Sequence, residues 1–443
     1  MKKGILLPIF SLPSKYGIGD FGYEAYEFID ILSSSRINYW QILPINSCFD
    51  SPYSPRSFYA LNENFISLDK LKEQGLITST ISLDNSLERI DYNILDKTKY
   101  YIEAFNNFNP DKDYYDFINS NDELINYAVF MSNNHINNED YYLFLQYILF
   151  QQWNELLNYA HKKNVYIIGD MPIYPDYFSS EVFFNADLYQ LDINNKPKYV
   201  SGAPGDYFNI NGQKWGHPLY NFNKMKLDNF KYLIERYLYF NKLFDITRID
   251  HFKAFEKYYN IPFDGEPKDG FYKDGPSYDF FNELFKYTKP ERFIVEDLGD
   301  ITESTLKLRD TYNFKGMKII QYTLDTSNKI DTCKSGNMIV YTGNHDNNTI
   351  VGWYNTLEGY QKNNVNNFLD MNKIPDDIIN NRLIKYLLKT SFDNDIVIIP
   401  VQDILGLDEN GRINLPGVVD NSNWSWRLKD FKDFKKRISI MNE

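Results

Sequence analysis

The sequence predicts an α/β protein built on a closed (β/α)8 barrel. Eight apolar runs rich in Ile and Val are bounded by turn residues, as buried parallel strands are. Segments with helical periodicity lie between several of these runs, and alternating strands and helices indicate a parallel sheet. Acidic motifs stand at the ends of three of the runs, where a barrel of this kind carries its active site. Eight strand units favour closure of the sheet over an open arrangement.

The predicted strands are spread over the whole chain. In order, they cover residues 4–10, 39–45, 165–173, 246–252, 293–298, 317–322, 338–343 and 395–402. The predicted helices between them cover residues 23–33, 141–161, 230–243, 278–287 and 382–390. No GxGxxG motif follows the first strand, so a dinucleotide-binding fold has little support.

We predict one catalytic barrel domain over residues 1–443, with two insertions at its carboxyl-terminal face. Residues 69–138 leave the second strand and residues 174–224 leave the third, and both gaps are too long for simple loops. Long segments at this face are usually functional, although a solvated insertion is the alternative for each. Little chain follows Arg427, so we expect no separate C-terminal β-domain.

Composition narrows the class of protein. Hydrophobic residues make up 43% of the 443 residues, which is enough for a large core. The net charge is -13 without a dense patch of Lys or Arg, which argues against nucleic acid and anionic membranes as partners. No apolar stretch of about 18 residues occurs, and the first residues are too Pro-broken for a signal peptide. We therefore expect a cytoplasmic protein.

The cysteines and histidines give no sign of a bound group. Cys48 and Cys333 are far apart in sequence and form neither a disulfide framework nor a metal-binding spacing. The five histidines are scattered without an HExxH or similar pattern. We predict neither a cofactor nor a metal.

The first acidic motif, TRIDHF at 247–252, ends the fourth strand. Arg248 and Asp250 are two residues apart, so both point to the same face of the strand, which in a barrel is the interior. A guanidinium beside the carboxylate should lower its pKa and keep it ionised, as a nucleophile requires. The alternative is a purely structural Arg–Asp pair.

The second motif, VEDLG at 295–299, ends the fifth strand. If Glu296 faces Asp250 across the barrel mouth, like charge and partial burial would raise its pKa. Glu296 is then a candidate general acid, and two such carboxylates are the working parts of a glycosidase. The neighbouring Asp297 should point away from the site.

The third motif, TGNHDN at 342–347, follows the seventh strand. Asp346 could hold sugar hydroxyls and distort the ring toward the oxocarbenium-like transition state. His345 could donate a hydrogen bond to the sugar, or it could be a hydrogen-bonded histidine of the core. Asp170, at the end of the third strand, is a further candidate for a structural or binding part.

Other motifs identify the chain as similar to a known family. YGIGD at 16–20, YWQILP at 39–44, DSPYS at 50–54 and GDMPIY at 169–174 occur in that family's order. GQKWG at 212–216, VQDILG at 401–406 and NWSWR at 423–427 follow, and the first and last of these three are the more specific. With the three acidic motifs, the sequence resembles the 4-α-glucanotransferases of glycoside hydrolase family 77, nearly end to end.

The resemblance implies a role for each candidate residue. Asp250 would be the nucleophile, Glu296 the acid/base and Asp346 the transition-state stabiliser. The substrate-binding residues would be Arg248, His345, Asp170, Trp215, Tyr53 and His251. The family passes a segment of an α-1,4-glucan, such as a maltooligosaccharide, starch or glycogen, to the 4-hydroxyl of another glucan. Net retention predicts that the carboxyl oxygens of Asp250 and Glu296 lie about 5–5.5 Å apart.

The sequence also departs from the family pattern, although not at the three acids. The departures are Phe178 and Asn348 where Asp is common, Gly205 where a second proline is usual, His217 where Asn is usual, and Lys253-Ala254 in place of Arg-Gly.

Three other functions stay open. An α-1,4-glucan hydrolase needs the same two carboxylates and differs in whether water or sugar accepts the glycosyl group. A catalytically silent glucan-binding protein is a second alternative, against which the presence of all three acids speaks. A metal-dependent hydrolase has the least support, because the sequence has no metal-binding motif.

Overall fold

The computed structural model describes residues 1–81, 88–205, 210–324 and 336–443. Within those ranges the strands are β1 (Lys2–Leu6), β2 (Tyr39–Gln41), β3 (Tyr166–Met171), β4 (Tyr199–Ala203), β5 (Gln213–Pro218), β6 (Ile246–Ile249), β7 (Lys257–Pro262), β8 (Phe271–Asp274), β9 (Phe293–Val295), β10 (Gly316–Ile319), β11 (Met338–Tyr341) and β12 (Ile396–Pro400).

The α-helices of the described chain lie between these strands. They are α1 (Tyr23–Ser34), α2 (Leu68–Glu73), α3 (Thr98–Asn107), α4 (Lys112–Asn119), α5 (Asp122–Asn134), α6 (Glu139–Lys162), α7 (Ser180–Phe184), α8 (Phe222–Lys226), α9 (Lys231–Leu243), α10 (Lys253–Glu256), α11 (Ser277–Leu284), α12 (Glu303–Thr311), α13 (Ile320–Thr323), α14 (Ile350–Thr356), α15 (Gly359–Met371), α16 (Ile379–Thr390), α17 (Val401–Leu405) and α18 (Lys432–Arg437).

Eight strands form one parallel sheet, in the order β10, β11, β12, β1, β2, β3, β6 and β9. Its two end strands, β9 and β10, meet through a parallel bridge between Ile294 and Lys315. There the Val295 N–H donates to the Lys315 carbonyl at 2.9 Å. The bridge joins the two edges of the sheet, so the predicted (β/α)8 barrel is confirmed.

The observed barrel strands end earlier than the predicted ones. The run 246–252 keeps its ladder only to Ile249, and the run 395–402 keeps it only to Pro400, where α17 begins. Phe252 and Val401 lie beyond these ends and are nevertheless fully buried. Apolar patterning therefore reports which residues are buried at the barrel mouth, and not where the last ladder hydrogen bond is made.

A second sheet was not predicted, and we call it the accessory sheet. Its order is β5, β4, β7 and β8, with antiparallel pairing throughout the described strands. Strands β4 and β5 come from the chain that leaves β3, and β7 and β8 come from the chain that leaves β6. Because both excursions start at carboxyl ends of barrel strands, the accessory sheet stands on the face where an active site is expected.

Helices α2 to α5 lie between Leu68 and Asn134, and the long helix α6 holds the segment that leads to them. Buried Gln146 of α6 accepts from the Leu61 N–H at 2.8 Å and donates to the Leu61 carbonyl at 2.9 Å. Gln152, two turns further along, accepts from the Ser67 N–H at 2.8 Å. The division of the chain into a barrel and two insertions stays a prediction.

The end of the chain adds no further sheet. Residues 406–443 are all described, and they contain α18 and short 3-10 turns but no strand. Among the described residues, no helix is long and apolar enough to span a membrane. Cys48 is a free thiol, and Cys333 lies outside the described residues.

Candidate active site

A buried guanidinium organises the carboxylates at the barrel mouth. Asp170 of β3 is paired in register with Arg248 of β6, and both Asp170 oxygens lie 2.8 Å from Nη1 of Arg248. The same Nη1 is 3.1 Å from Oδ1 of Asp250, while Nη2 is 3.9 Å from Oε2 of Glu296. The structure thus brings three of the predicted site carboxylates, Asp170, Asp250 and Glu296, together around Arg248. The Arg248 side chain is only 2% exposed, so water screens these interactions weakly.

The turn that follows β6 connects Asp250 to Glu296. His251 adopts a left-handed backbone conformation with φ of 47°. Its N–H donates to Oε2 of Glu296 at 2.7 Å. The His251 ring packs edge to face with Trp215 of β5, with ring centroids 4.7 Å apart. His251 therefore contacts Glu296 through its backbone and the accessory sheet through its side chain.

Burial decides the protonation of Asp250. Withdrawal from water, together with repulsion from Asp170 and Asp346, raises its pKa to about 6. The Arg248 guanidinium pulls the pKa down, as the sequence predicts, but it does not prevail. The predicted net lowering is wrong, because strand spacing reveals a neighbouring cation but not how much solvent the fold removes. Most of the carboxyl is still ionised at neutral pH.

Glu296 shows the pKa shift that the sequence predicts. Burial, with repulsion from Asp250, raises its pKa to about 8 against the opposing pull of Arg248. Its neighbour Asp297 points away from this cluster. One Asp297 oxygen accepts from Nη1 of Arg309 at 2.6 Å, and the other accepts from the Met317 N–H at 2.7 Å. Glu296 is thus the member of the Glu-Asp pair that faces the site.

His345 and Asp346 lie on the β11 side of the mouth, three strands from β6 around the closed sheet. Tyr53 connects this side to Asp170, because its hydroxyl donates to Asp170 at 2.8 Å and lies 2.9 Å from Nε2 of His345. Since the phenolic proton is directed to Asp170, we infer that Nε2 of His345 carries a proton. That nitrogen is also 3.3 Å from Oδ2 of Asp346. His345 therefore makes polar contacts inside the predicted site.

Aromatic rings cover this side of the site. The rings of Tyr53 and His345 stack with centroids 5.2 Å apart. Trp424, whose backbone φ is 58°, lies 5.6 Å from Tyr53 and 6.0 Å from His345 by ring centroids. The C-terminal segment that resembles the family motif thus contributes directly to the mouth of the barrel.

Two residues that sequence reasoning missed hold Asp346. Asn414 Nδ2 donates to Oδ1 of Asp346 at 2.6 Å, and Arg412 Nη2 donates to the Asp346 carbonyl at 2.7 Å. Burial alone would raise the pKa of Asp346, but His345 and the Asn414 hydrogen bond bring it well below the usual range. Asn414 belongs to no strand and no chemical motif. Its alternation with apolar neighbours in RINLP, 412–416, is the only signal in the sequence.

Asp403 supports the loop that carries His345 and Asp346. The Thr342 hydroxyl donates to one Asp403 oxygen, and the Ile350 N–H donates to the other at 2.8 Å. The two donors lie at either end of the loop that joins β11 to α14. Burial raises the pKa of Asp403 to about 6. Asp403 therefore shapes the loop from behind and does not face the mouth.

The described residues contain no group of three or more His, Cys, Asp or Glu side chains arranged to hold a metal ion. The polar groups of the mouth are instead paired with one another around Arg248 and Asp346.

Comparisons with known proteins agree on one family. The family model described as 4-alpha-glucanotransferase, of glycoside hydrolase family 77, matches residues 7–140 and 131–433. A 4-alpha-glucanotransferase from Streptococcus pneumoniae is 33% identical, over 97% of this chain and 94% of the relative. One from Clostridium butyricum is 36% identical, over 95% of each chain. An amylomaltase from Streptococcus agalactiae, solved in complex with acarbose, superimposes with a TM-score of 0.92 at 30% identity, over 99% of this chain and 98% of that one.

Proposed function

Since this chain belongs to the 4-alpha-glucanotransferase family, we propose that it moves an α-1,4-glucan segment from a donor maltooligosaccharide to the 4-hydroxyl of an acceptor glucan or glucose. We propose a double displacement with retention of the anomeric configuration. Asp250 is the nucleophile, Glu296 the acid/base and Asp346 the stabiliser of the transition state.

One observation carries the assignment of the first two roles. Asp250 and Glu296 share the guanidinium of Arg248, yet their pKa values are about 6 and about 8. At neutral pH one carboxyl is mostly ionised and the other mostly protonated. Two neighbouring carboxyls with separated pKa values are what a retaining glycosidase mechanism requires of its nucleophile and its acid.

In the first displacement, an Asp250 oxygen attacks the anomeric carbon of the donor sugar. Glu296 gives its proton to the glycosidic oxygen, so the bond to the leaving glucan breaks and that glucan departs with a free 4-hydroxyl. The sugar remains as a β-glycosyl ester of Asp250. Esterification removes the negative charge of Asp250, which lowers the pKa of Glu296 and prepares it to act as a base.

In the second displacement, an acceptor glucan occupies the place of the departed one. Glu296 takes the proton of its 4-hydroxyl, the acceptor oxygen bonds to the anomeric carbon, and the ester bond to Asp250 breaks. Both carboxyls return to their starting states, and two inversions give net retention.

The remaining site residues bind the glucan in this proposal. Arg248, Asp170, His345 and Tyr53 form the pocket for the donor sugar next to the nucleophile. Trp215 and His251 contact glucan rings where the accessory sheet meets the site, a position supported by their edge-to-face packing. Asp346, whose pKa is low, presents a permanent negative charge to an oxocarbenium-like transition state.

Two broader expectations accompany this proposal. We propose that residues 69–138 and 174–224 are insertions in one catalytic domain, and that the protein acts in the cytoplasm on soluble maltooligosaccharides or on starch- and glycogen-type glucans. Limited proteolysis and cell fractionation would test these two points.

Incubation of the purified protein with maltotriose tests the function. Disproportionation gives glucose together with maltooligosaccharides longer than the substrate. Glucose and maltose with no longer product would identify a hydrolase instead. Binding to starch with no change in any donor would identify a glucan-binding protein. The Asp250→Asn variant, assayed in parallel, excludes a contaminating activity.

A further inference from the structure

His217 lies where the family pattern has asparagine, and the structure gives it contacts at both ring nitrogens. It belongs to β5, where Gln213, Trp215 and His217 are half-buried and alternate with the exposed Lys214 and Gly216. Its Nε2 is 2.8 Å from the hydroxyl of Ser54, and its Nδ1 is 3.3 Å from the hydroxyl of Ser201 in β4. The imidazole thus bridges the accessory sheet and the segment 51–56, which leaves the second barrel strand.

Both ring nitrogens of His217 lie within hydrogen-bond distance of a serine hydroxyl. The Ser201 hydroxyl oxygen also accepts from the backbone N–H of His217 at 3.2 Å. A neutral imidazole has one N–H and one lone pair, and a hydroxyl can donate or accept, so the bridge forms with either tautomer. Burial lowers the pKa of His217 to about 4, so the ring is neutral at physiological pH. The neutral ring therefore links Ser201 to Ser54.

Ser54 is adjacent to Tyr53, which reaches the middle of the site. Tyr53 donates to Asp170 and contacts Nε2 of His345, the two contacts that join the two sides of the barrel mouth. Two residues before His217 on the same strand, Trp215 packs on His251 beside Asp250. Strand β5 therefore contacts both the Tyr53 segment and the turn that carries the proposed nucleophile.

We propose that His217 is a positioning residue for the donor sugar: through Ser54 it holds Tyr53 against Asp170 and His345, and so couples the accessory sheet to the donor pocket. The inference rests on the proposed function, because it assigns Tyr53 to that pocket.

Three substitutions separate the two ends of the bridge. His217→Ala removes both contacts. His217→Gln carries an amide nitrogen to about the position of Nε2 and keeps a donor for Ser54, whereas His217→Asn reaches only to about Nδ1 and keeps the contact with Ser201. We expect kcat/KM for maltotriose to fall about fivefold to tenfold in the Ala and Asn variants, as for the loss of one hydrogen bond. The Gln variant should stay within about twofold of the wild type.

The second readout separates positioning from general destabilisation. With labelled glucose as acceptor, the acceptor KM should be unchanged in all three variants, since the tether acts on the donor side. His135→Ala, at the exposed end of α5, is the matched control and should leave both parameters unchanged. Ser54→Ala tests the same bond from the other partner. It should reproduce the loss, and combining it with His217→Ala should add nothing.

The possible results distinguish a failure of this inference from a failure of the proposed function. The inference is overturned if His217→Ala is as active as the wild type, if the Gln and Asn variants lose equal activity, or if the losses in the double variant are additive. Each of these results would leave the proposed function standing. Absence of transfer by the wild-type protein would overturn both.

Discussion

The two sides of the barrel mouth treat their carboxylates in opposite ways. On the β6 and β9 side, Asp250 and Glu296 keep 20% and 18% of their side chains exposed, and burial raises both pKa values despite a shared guanidinium. On the β11 side, Asp346 is 40% exposed and accepts hydrogen bonds from neighbours, and its pKa falls. All three acids stand beyond the ends of parallel strands, so their place in the fold does not decide their protonation.

The barrel thus places the carboxyl groups, while their immediate neighbours decide which of them is charged. Desolvation disfavours the ionised form, and donated hydrogen bonds favour it. One side of the mouth can therefore hold a proton for transfer while the other holds a fixed negative charge.

Asp250→Asn should abolish transfer, with a loss of about ten-thousandfold or more in kcat, because an amide cannot form the glycosyl ester. The measurement is glucose release from maltotriose, beside circular dichroism and affinity electrophoresis in starch. Fold and glucan binding should be retained. A variant that fails to fold would show instead that Asp250 and Arg248 form a structural pair.

The pH dependence of kcat/KM should reflect the ionisation of Asp250 and Glu296, on the β6 and β9 side, and not that of Asp346. Activity needs ionised Asp250 and protonated Glu296, so kcat/KM should rise as pH passes about 6 and fall as it passes about 8. Each limb should change about tenfold per pH unit away from the optimum. Asp346 should leave no limb in this range, because its pKa lies far below it. A profile flat from pH 5 to 9 would contradict the assignment of both carboxyls.

Asn414→Ala should impair Asp346, on the β11 side, and leave the environments of Asp250 and Glu296 unchanged. Loss of the bond to Asp346 raises the pKa of that carboxyl and loosens its position, and we expect kcat to fall about tenfold. Asn410→Ala, an exposed asparagine on the same segment, serves as the control. Equal activity of the two variants would show that Asn414 does not support Asp346.

Neutralising an acid on one side of the mouth should raise Tm, and neutralising one on the other side should lower it. The pKa of Glu296 is raised on folding, so its ionisation costs stability once the pH exceeds the ordinary value, and the cost grows up to the folded pKa of about 8. Glu296→Gln should therefore raise Tm by about 1–3 °C at pH 8 and by less at pH 5.

Asp346→Asn is the counterpart on the other side. The pKa of Asp346 is lowered on folding, so its ionised form stabilises the fold at every pH above the ordinary value and loses this effect in strong acid. The substitution should lower Tm at neutral pH by about 1–3 °C. Shifts of the same sign in the two variants, measured by calorimetry, would contradict the contrast.

Strand periodicity was sufficient to predict much of this architecture. All eight barrel strands were predicted, because each is a short apolar run that ends in polar residues. The spacing of Arg248 and Asp250 placed both side chains inside the barrel, where the structure has them in contact. These features depend on local order along the chain, which a sequence displays.

Features that depend on distant contacts were not predictable. Asn414 lies 68 residues from the Asp346 that it contacts, on a loop whose short alternating pattern does not identify its partner. The accessory sheet pairs β4 with β7, which are short and belong to different excursions from the barrel. The pKa of Asp250 was assigned the wrong direction because desolvation depends on the complete fold around it. In each case the missing information was which remote residue fills the neighbouring space.

The pairing of β1 with β12 has a consequence for the synthesis of the protein. Gly4 lies in register with Tyr39 and Lys2 with Ile396, so β1 gains β2 as a neighbour early in synthesis but waits for β12 until residue 400 has been made. Asn414 and Trp424, which complete the mouth, emerge later still. A growing chain therefore carries β1 with one edge unpaired and no finished catalytic centre, which makes slow closure and dependence on chaperones the expected features of its folding in the cell.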